Sequence, residues 1–557
     1  MPKKLAIVIS GAVSLGSYEA GVMYEILEAI ARHNESINNN EDRIEIDVIA
    51  GASAGGMTAC ILAQHLLCGD QTAPFNQDQS LRKPYNNPLY NTWVDEVDIR
   101  QLIDVKKDCQ KYSLLQTKVV EDIGKKYLQD NPKFNEKHPA SASQIYVSIA
   151  MSNLSGYTFP LSTDYDRSKK SQKEGIQEFA YTRYKDQFVC VARRDPSGSV
   201  TLDEIDRETT RNLETKQETV KWQKLRDTNW TELREVGLSS GAFPFAFRLR
   251  KIQRFGGFGK RHHRDDKYLY TDGGVFENEP IGMAKLLVDK IDENQDSSNK
   301  RYYLYIAPGQ RQLPDNPFIK KDDDLLVTGV ALLSSIFHQS RFQDWIMEEM
   351  NAPVFSITAH DFELIGDVFS AFAGFLEKKF RAYDYNIGRE RTQYELSNPE
   401  AKSQLQDLLK RELNKMPPLE WIVNCKIAGK ELDSWDDAKK ELSKLAKPRS
   451  EEGKQLKDNE LKKRDQLVEL RRLMAEVDKE TRNKILDQLT FRLESLVDLI
   501  NDRLEPLDRI NNGSPLFKLW SSTKLNARIY IGKPLTKLVL KGILRFWLQQ
   551  NILNLKD

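Results

Sequence analysis

IEIDVIAGASAGGMTACILAQHLL, residues 44–67, governs how the rest of the chain is read. IEIDVIAG, residues 44–51, is an apolar run bounded by glycine, as expected of a buried strand. Ala-Ser-Ala-Gly-Gly follows, and Met57 to Leu67 has the composition of a helix. Strand, small-residue turn and helix make an α/β unit, whose function-bearing loops lie at the C-terminal ends of the strands. Its centre is Gly51-Ala52-Ser53-Ala54-Gly55, a Gly-x-Ser-x-Gly pattern in the context that a nucleophile elbow requires. Gly51 and Gly55 permit a tight turn, and the helix N-terminus points a positive dipole end toward a developing oxyanion. A small-residue helix start packed on a sheet would look the same, so the surroundings must decide.

Upstream, LAIVIS (5–10) is a continuous apolar run of the kind buried on both faces of a sheet. It passes through SGAVSLGS into a helix over Tyr18–Ala31, with Val22, Ile26, Leu27 and Ile30 on one side. The opening MPKKLAIVISGAVSLG imitates a signal peptide, but the glycine turn and helix behind it favour a strand. Downstream, residues 68–141 are polar and irregular, and 69–143 form a candidate lid or insertion. QIYVSIAMS (144–152) and DQFVCVAR (186–193) read as strands, and Glu232–Ser240 as a short helix. KYLYTDGG (267–274) and RYYLYIAPG (301–309) read as further strands. The α/β pattern stops near residue 310, which sets an expected first domain at 1–310. Residues 311–557 read as largely helical, with helices over Leu325–Met350 and Phe362–Arg381 and charged helical faces through 430–510.

The chain has 557 residues, 39% hydrophobic and 30% charged, with 83 basic against 82 acidic residues. A net charge of +1 gives no global argument for a nucleic-acid partner. Five cysteines, none in a CxxC pair, point to neither a zinc site nor a disulfide framework and fit a reducing, cytoplasmic setting. No metal cluster or GxxxxGK[ST] phosphate loop is present, and no cofactor is expected. No apolar stretch reaches the roughly 18 residues needed to span a bilayer.

A serine nucleophile needs a base and oxyanion donors. His338 and His360 follow Ser53 but lie past the last clear strand, and His262 and His263 sit in the polar loop GKRHHRDDK. Asp272 directly follows KYLY and precedes two glycines, so a partly desolvated carboxylate there could accept the Ser53 proton itself. An Asp-Gly turn that merely ends a strand is the plainer reading of that motif alone.

The order of a glycine turn over Gly11–Gly16, GASAG around Ser53, LSSGAFPFAF (238–247) and DGGVFENEP (272–280) resembles the patatin-like phospholipase family. The match covers about residues 5–310. The resemblance implies a three-layer α/β/α domain with a central, mostly parallel sheet. It also implies a Ser-Asp dyad that hydrolyses acyl esters of phospholipids and neutral lipids. Ser53 would be the nucleophile and Asp272 the base, with Gly16, Gly51, Gly55, Gly273 and Gly274 supporting the turns. Asn278 and Pro280 match the family's tail after the Asp-Gly turn. The oxyanion would meet N–H groups from Gly11, Ala12, Val13, Ser14 and Ala54. Here the sequence departs from the family. The usual Gly-Gly-Gly-x-Arg/Lys-Gly is Gly-Ala-Val-Ser-Leu-Gly, and valine should resist the φ > 0 that glycine permits.

PLTKLVLKGILRFWLQQNILNL (534–555) places Lys537, Lys541, Arg545 and Gln549 on one helix face, with Leu535, Leu538, Val539, Ile543, Phe546 and Trp547 around much of the rest. A basic amphipathic helix with Trp and Phe is the pattern of an interfacial membrane contact, and equally of a helix docked on the chain itself or on a second copy in a homo-oligomer. The expected activity is lipid acyl hydrolysis of the phospholipase A or lysophospholipase type, at a membrane surface. A transacylase on the same dyad and a catalytically weak lipid-binding or scaffold protein are the alternatives.

Overall fold

The computed structural model describes residues 2–69, 79–104, 113–132, 135–161, 179–211, 218–244, 246–255, 267–292, 301–309, 354–359, 364, 366, 373–397, 425–427, 430–432, 488, 491 and 492. Strands β1 (Lys3–Ile9), β2 (Ile44–Gly51) and β3 (Ser141–Leu161) alternate with helices α1 (Gly16–Ser36) and α2 (Ala54–Cys68). The segment between α2 and β3, read from sequence as irregular, contains α3 (Pro88–Tyr90), a π-helical stretch (Asn91–Glu96), α4 (Ile99–Leu102) and α5 (Thr117–Tyr127). After β3 come β4 (Phe179–Arg194), β5 (Val200–Arg211) and β6 (Glu218–Thr228), then α6 (Trp230–Ser240), β7 (Arg250–Gln253) and β8 (Lys267–Thr271). Helix α7 (Ile281–Asp292), β9 (Arg301–Ala307), β10 (Val354–Thr358) and α8 (Lys378–Ser397) follow.

The sheet order is β10-β9-β1-β2-β3-β4-β5-β6. Its centre is parallel, from β10 through β9, β1 and β2 to β3. From β3 outward β4, β5 and β6 pair antiparallel, and β8 also pairs antiparallel with the middle of β3 at Ser152 and Asn153. Two faces are covered. Leu5, Ile7 and Ile9 point into the larger core under α1, α2 and α6, whereas Ala6, Val8, Val48 and Ala50 pack against Ile281, Ala284 and Leu287 of α7. The period-two alternation of β1 therefore has an apolar residue for each side, which explains its unbroken hydrophobic run. This is the α/β/α arrangement expected from the sequence.

Two expectations are corrected. The α/β part does not stop near residue 310: β10 adds a parallel strand to β9, and α8 packs along α1. A Cβ on Gly21 would lie 2.0 Å from the Tyr385 carbonyl oxygen and one on Gly388 2.2 Å from that of Tyr18, so the two helices touch backbone to backbone. Arg389 and Glu25, both fully buried, are joined across that contact at 2.6 Å. The helix expected over Phe362–Arg381 is not continuous: Ala373–Phe375 form a 3-10 turn and a separate helix runs from Lys378 to Ser397, while most of 362–372 lies outside the described residues. The helices expected over Leu325–Met350, 430–510 and 534–555 lie essentially outside the described residues, as do His262, His263, His338 and His360.

Candidate active site

Ser53 sits between the end of β2 and the first turn of α2, with φ 52° and ψ −125°. A side-chain-bearing residue with positive φ is uncommon, and holding one costs about 1–3 kcal/mol. The turn is this tight because Gly55 passes under β1: a Cβ there would meet the Ser10 and Ile9 carbonyl oxygens at 2.4 and 2.5 Å. Gly51 is the last residue of β2 and Ala54 the first of α2. The N–H of Ala54 is therefore one of those a helix start leaves without an intrahelical partner.

Asp272 follows β8, and the pairing of Thr271 with Ser152 of β3 carries it to the elbow. The Ser53 hydroxyl donates to Asp272 Oδ2 at 2.7 Å, and the Gly274 N–H donates to Oδ1 at 2.7 Å. Gly273 opens the 3-10 turn that presents this N–H. From the other side Ala242 braces the strand end, its carbonyl accepting from the Asp272 N–H at 3.0 Å and from Thr271 Oγ1 at 2.8 Å. Asp272 is 1% exposed and Ser53 5%. Burial lifts the Asp272 carboxyl from 3.8 to about 7, against the two hydrogen bonds that favour its ionised form.

The Gly11–Gly16 turn lies beside this pair at the end of β1 and closes on itself through the Leu15 N–H to Ala12 oxygen bond of 2.9 Å. Gly11 donates its N–H to the Asn278 carbonyl at 3.0 Å, so it shapes the turn and its amide is already engaged. Gly16 starts α1 against the Trp93 ring. Val13 has φ 51°: the valine adopts the conformation that its side chain was expected to resist. Val13 and Ser53 are the two non-glycine residues with positive φ among the described residues, and both line the same pocket. As the first residue of its 3-10 turn, Val13 has an N–H without a partner inside that turn. Ser14 is fully buried, and its hydroxyl accepts the Gly374 N–H at 3.1 Å.

The pocket over Ser53 is walled by Met57, Trp93, Val97, Val120, Ile123, Phe243, Phe247 and Phe375. Its free space is about 40 Å³, room for a few waters. Sequence reading missed Trp93 and Phe375, since nothing in a polar stretch or a distant helical one marks a residue as pocket lining. Arg381 was missed too. It is 1% exposed and donates to the carbonyls of Val94 at 3.0 Å, Gly374 at 3.0 Å and Phe375 at 3.3 Å. Among the described residues no group of three or more His, Cys, Asp or Glu is placed to hold a metal ion.

A model of the patatin-like phospholipase family matches residues 7–285, a span that includes the elbow, the Asp-Gly turn and the glycine turn. The chain belongs to the patatin-like phospholipase family. Members of this family are lipid acyl hydrolases, and the α/β fold described above agrees with that membership. The uncharacterized protein y4iI of Sinorhizobium fredii is 23% identical over 479 residues, 70% of this chain and 64% of its own length. The present patatin-like chain thus spans less than two thirds of that relative. Strands β9 and β10 and helix α8 lie past the matched patatin-like region.

Proposed function

We propose that this protein hydrolyses carboxylic esters of phospholipids through Ser53 and Asp272, as a phospholipase A or lysophospholipase. The observation that carries the reading is the 2.7 Å hydrogen bond from a strained serine hydroxyl to a buried carboxylate. In this reading Ser53 Oγ attacks the ester carbonyl as its proton passes to Asp272. The tetrahedral oxyanion is met by backbone N–H groups of Ala54 and of the Val13 turn, the leaving alcohol takes the proton back from Asp272, and water then releases the acyl group with Asp272 as base. An apolar pocket beside the hydroxyl supports an acyl chain as the group transferred. Val13 supports the oxyanion role, since it holds the left-handed backbone despite its side chain. Contact with the lipid surface is assigned to the amphipathic segment 534–555.

The test is fatty-acid release from mixed phospholipid vesicles by the wild type, Ser53→Ala and Asp272→Asn. The wild type is expected to release fatty acid and each variant to lose activity by about 10⁴-fold or more. Equal rates for all three would reject the dyad. Added lysolipid or alcohol acceptors separate hydrolysis from transacylation: acyl transfer in place of free acid would identify the latter.

A further inference from the structure

The turn Ala373–Phe375 lies far beyond the family-matched region, yet it meets the active site twice. Gly374 donates its N–H to the Ser14 hydroxyl next to the strained Val13, and Phe375 supplies part of the pocket wall. Arg381 holds this turn from the first coil of α8. Its Nη1 reaches the carbonyls of both Gly374 and Phe375, and its Nε reaches that of Val94, next to Trp93 on another wall. The guanidinium is almost completely buried, and among the described residues it forms no ion pair. Its hydrogen bonds run to backbone carbonyls while Asp98, Glu377 and Asp95 favour its charge from nearby, and its planar fork fixes several backbone segments relative to one another. A backbone in the left-handed region persists where its surroundings over-determine it, and Ser14 is where this outside hold is applied to the turn.

We propose that Arg381 is a positioning residue of the active site. It locks the 373–375 turn so that Gly374 fixes the oxyanion turn at Ser14 while Phe375 closes the acyl pocket. Helix α8 is thereby an obligate part of the catalytic unit. The proposal rests on the Ser53 hydrolase reading and goes beyond it by assigning turnover and chain-length preference to a segment outside the matched region.

The experiment uses the purified full chain as wild type, Arg381→Met, Arg381→Lys and Phe375→Leu. It reads the unfolding temperature, the rate of fluorophosphonate labelling of Ser53, and kcat and KM on nitrophenyl esters from butyrate to palmitate. Folded Arg381→Met is expected to label about 100-fold more slowly, with kcat on the butyrate ester falling and KM little changed. Arg381→Lys should recover part of both rates. Phe375→Leu should raise the ratio of long-chain to short-chain kcat/KM about tenfold. Should Arg381→Met not fold, an intermediate labelling rate in Arg381→Lys and the chain-length shift in Phe375→Leu carry the same decision. Wild-type labelling in folded Arg381→Met, or an unchanged chain-length order in Phe375→Leu, overturns the positioning role alone. A wild type that neither labels nor turns over any ester rejects the hydrolase reading, and with it the reaction that Arg381 would serve.

Discussion

Burial lifts the Asp272 carboxyl to about 7, so its charge changes near neutral pH. The folded pKa stands above the unfolded value of 3.8, so the folded state binds the proton more tightly. The stability linked to this proton is complete below about pH 4 and is lost as pH rises through about 7. Asp272→Asn cannot ionise. It is expected to be more stable than wild type at pH 8 by up to roughly 4 kcal/mol, with the gap closing toward pH 4. Urea denaturation of both proteins at several pH values checks this, and a constant gap would contradict it. Wild-type kcat/KM should climb about tenfold per pH unit below 7 and level off above it. At this scale strand, glycine turn and helix stand in order around Ser53, whereas the Asp-Gly turn at Asp272 reads alone as a strand end and is tied to Ser53 through the family resemblance. The sequence misled at Val13. Steric preference alone argues against φ > 0 there, and the contacts that hold the turn come from Asn278 and Gly374, far away in the chain.

Helices α1 and α8 show the same limit between elements. Their contact depends on Gly21 meeting the Tyr385 backbone and on Glu25 meeting Arg389, partners separated by 364 positions. Both members of the ion pair are fully buried, so Arg389→Met strands the Glu25 carboxylate and should cost about 3–5 kcal/mol in urea denaturation. Adding Glu25→Gln should recover much of that loss; no recovery would mean that the arginine acts through packing. Strands β1, β2, β3, β4, β8 and β9 were legible from apolar runs bounded by turns. β5 and β6 were not. VTLDEIDRETTR and ETVKWQKLRDT lack an apolar run, and the β5 acids Asp203 and Glu204 are buried through ion pairs that only the fold brings together. β10 was missed because VFSIT is five residues long and gains its meaning only beside β9.

For the molecule as a whole, the unit that folds around the site is longer than the matched segment. Limited proteolysis of the full chain is expected to leave a protected core that retains residues 301–307, 354–358 and 378–397 alongside residues 3–292, as read by mass spectrometry. A core ending near 310 would contradict the sheet order. Among the described residues no helix is long and apolar enough to cross a membrane. If the proposed lipid contact of 534–555 holds, deleting 534–557 should abolish sedimentation with liposomes while soluble-ester hydrolysis persists, and unchanged sedimentation would reject that contact. The sheet order also sets a timetable. Ser53 and Asp272 are 219 positions apart, a stretch that takes about 10–45 s to synthesise at ordinary rates. Ser14 meets Gly374 only after 360 positions have been added. A growing chain thus exposes its serine well before it owns a base, and its oxyanion turn is secured later still. On the proposed hydrolase reading, a growing chain holds an incomplete site until residue 374 has been added and Gly374 can reach Ser14.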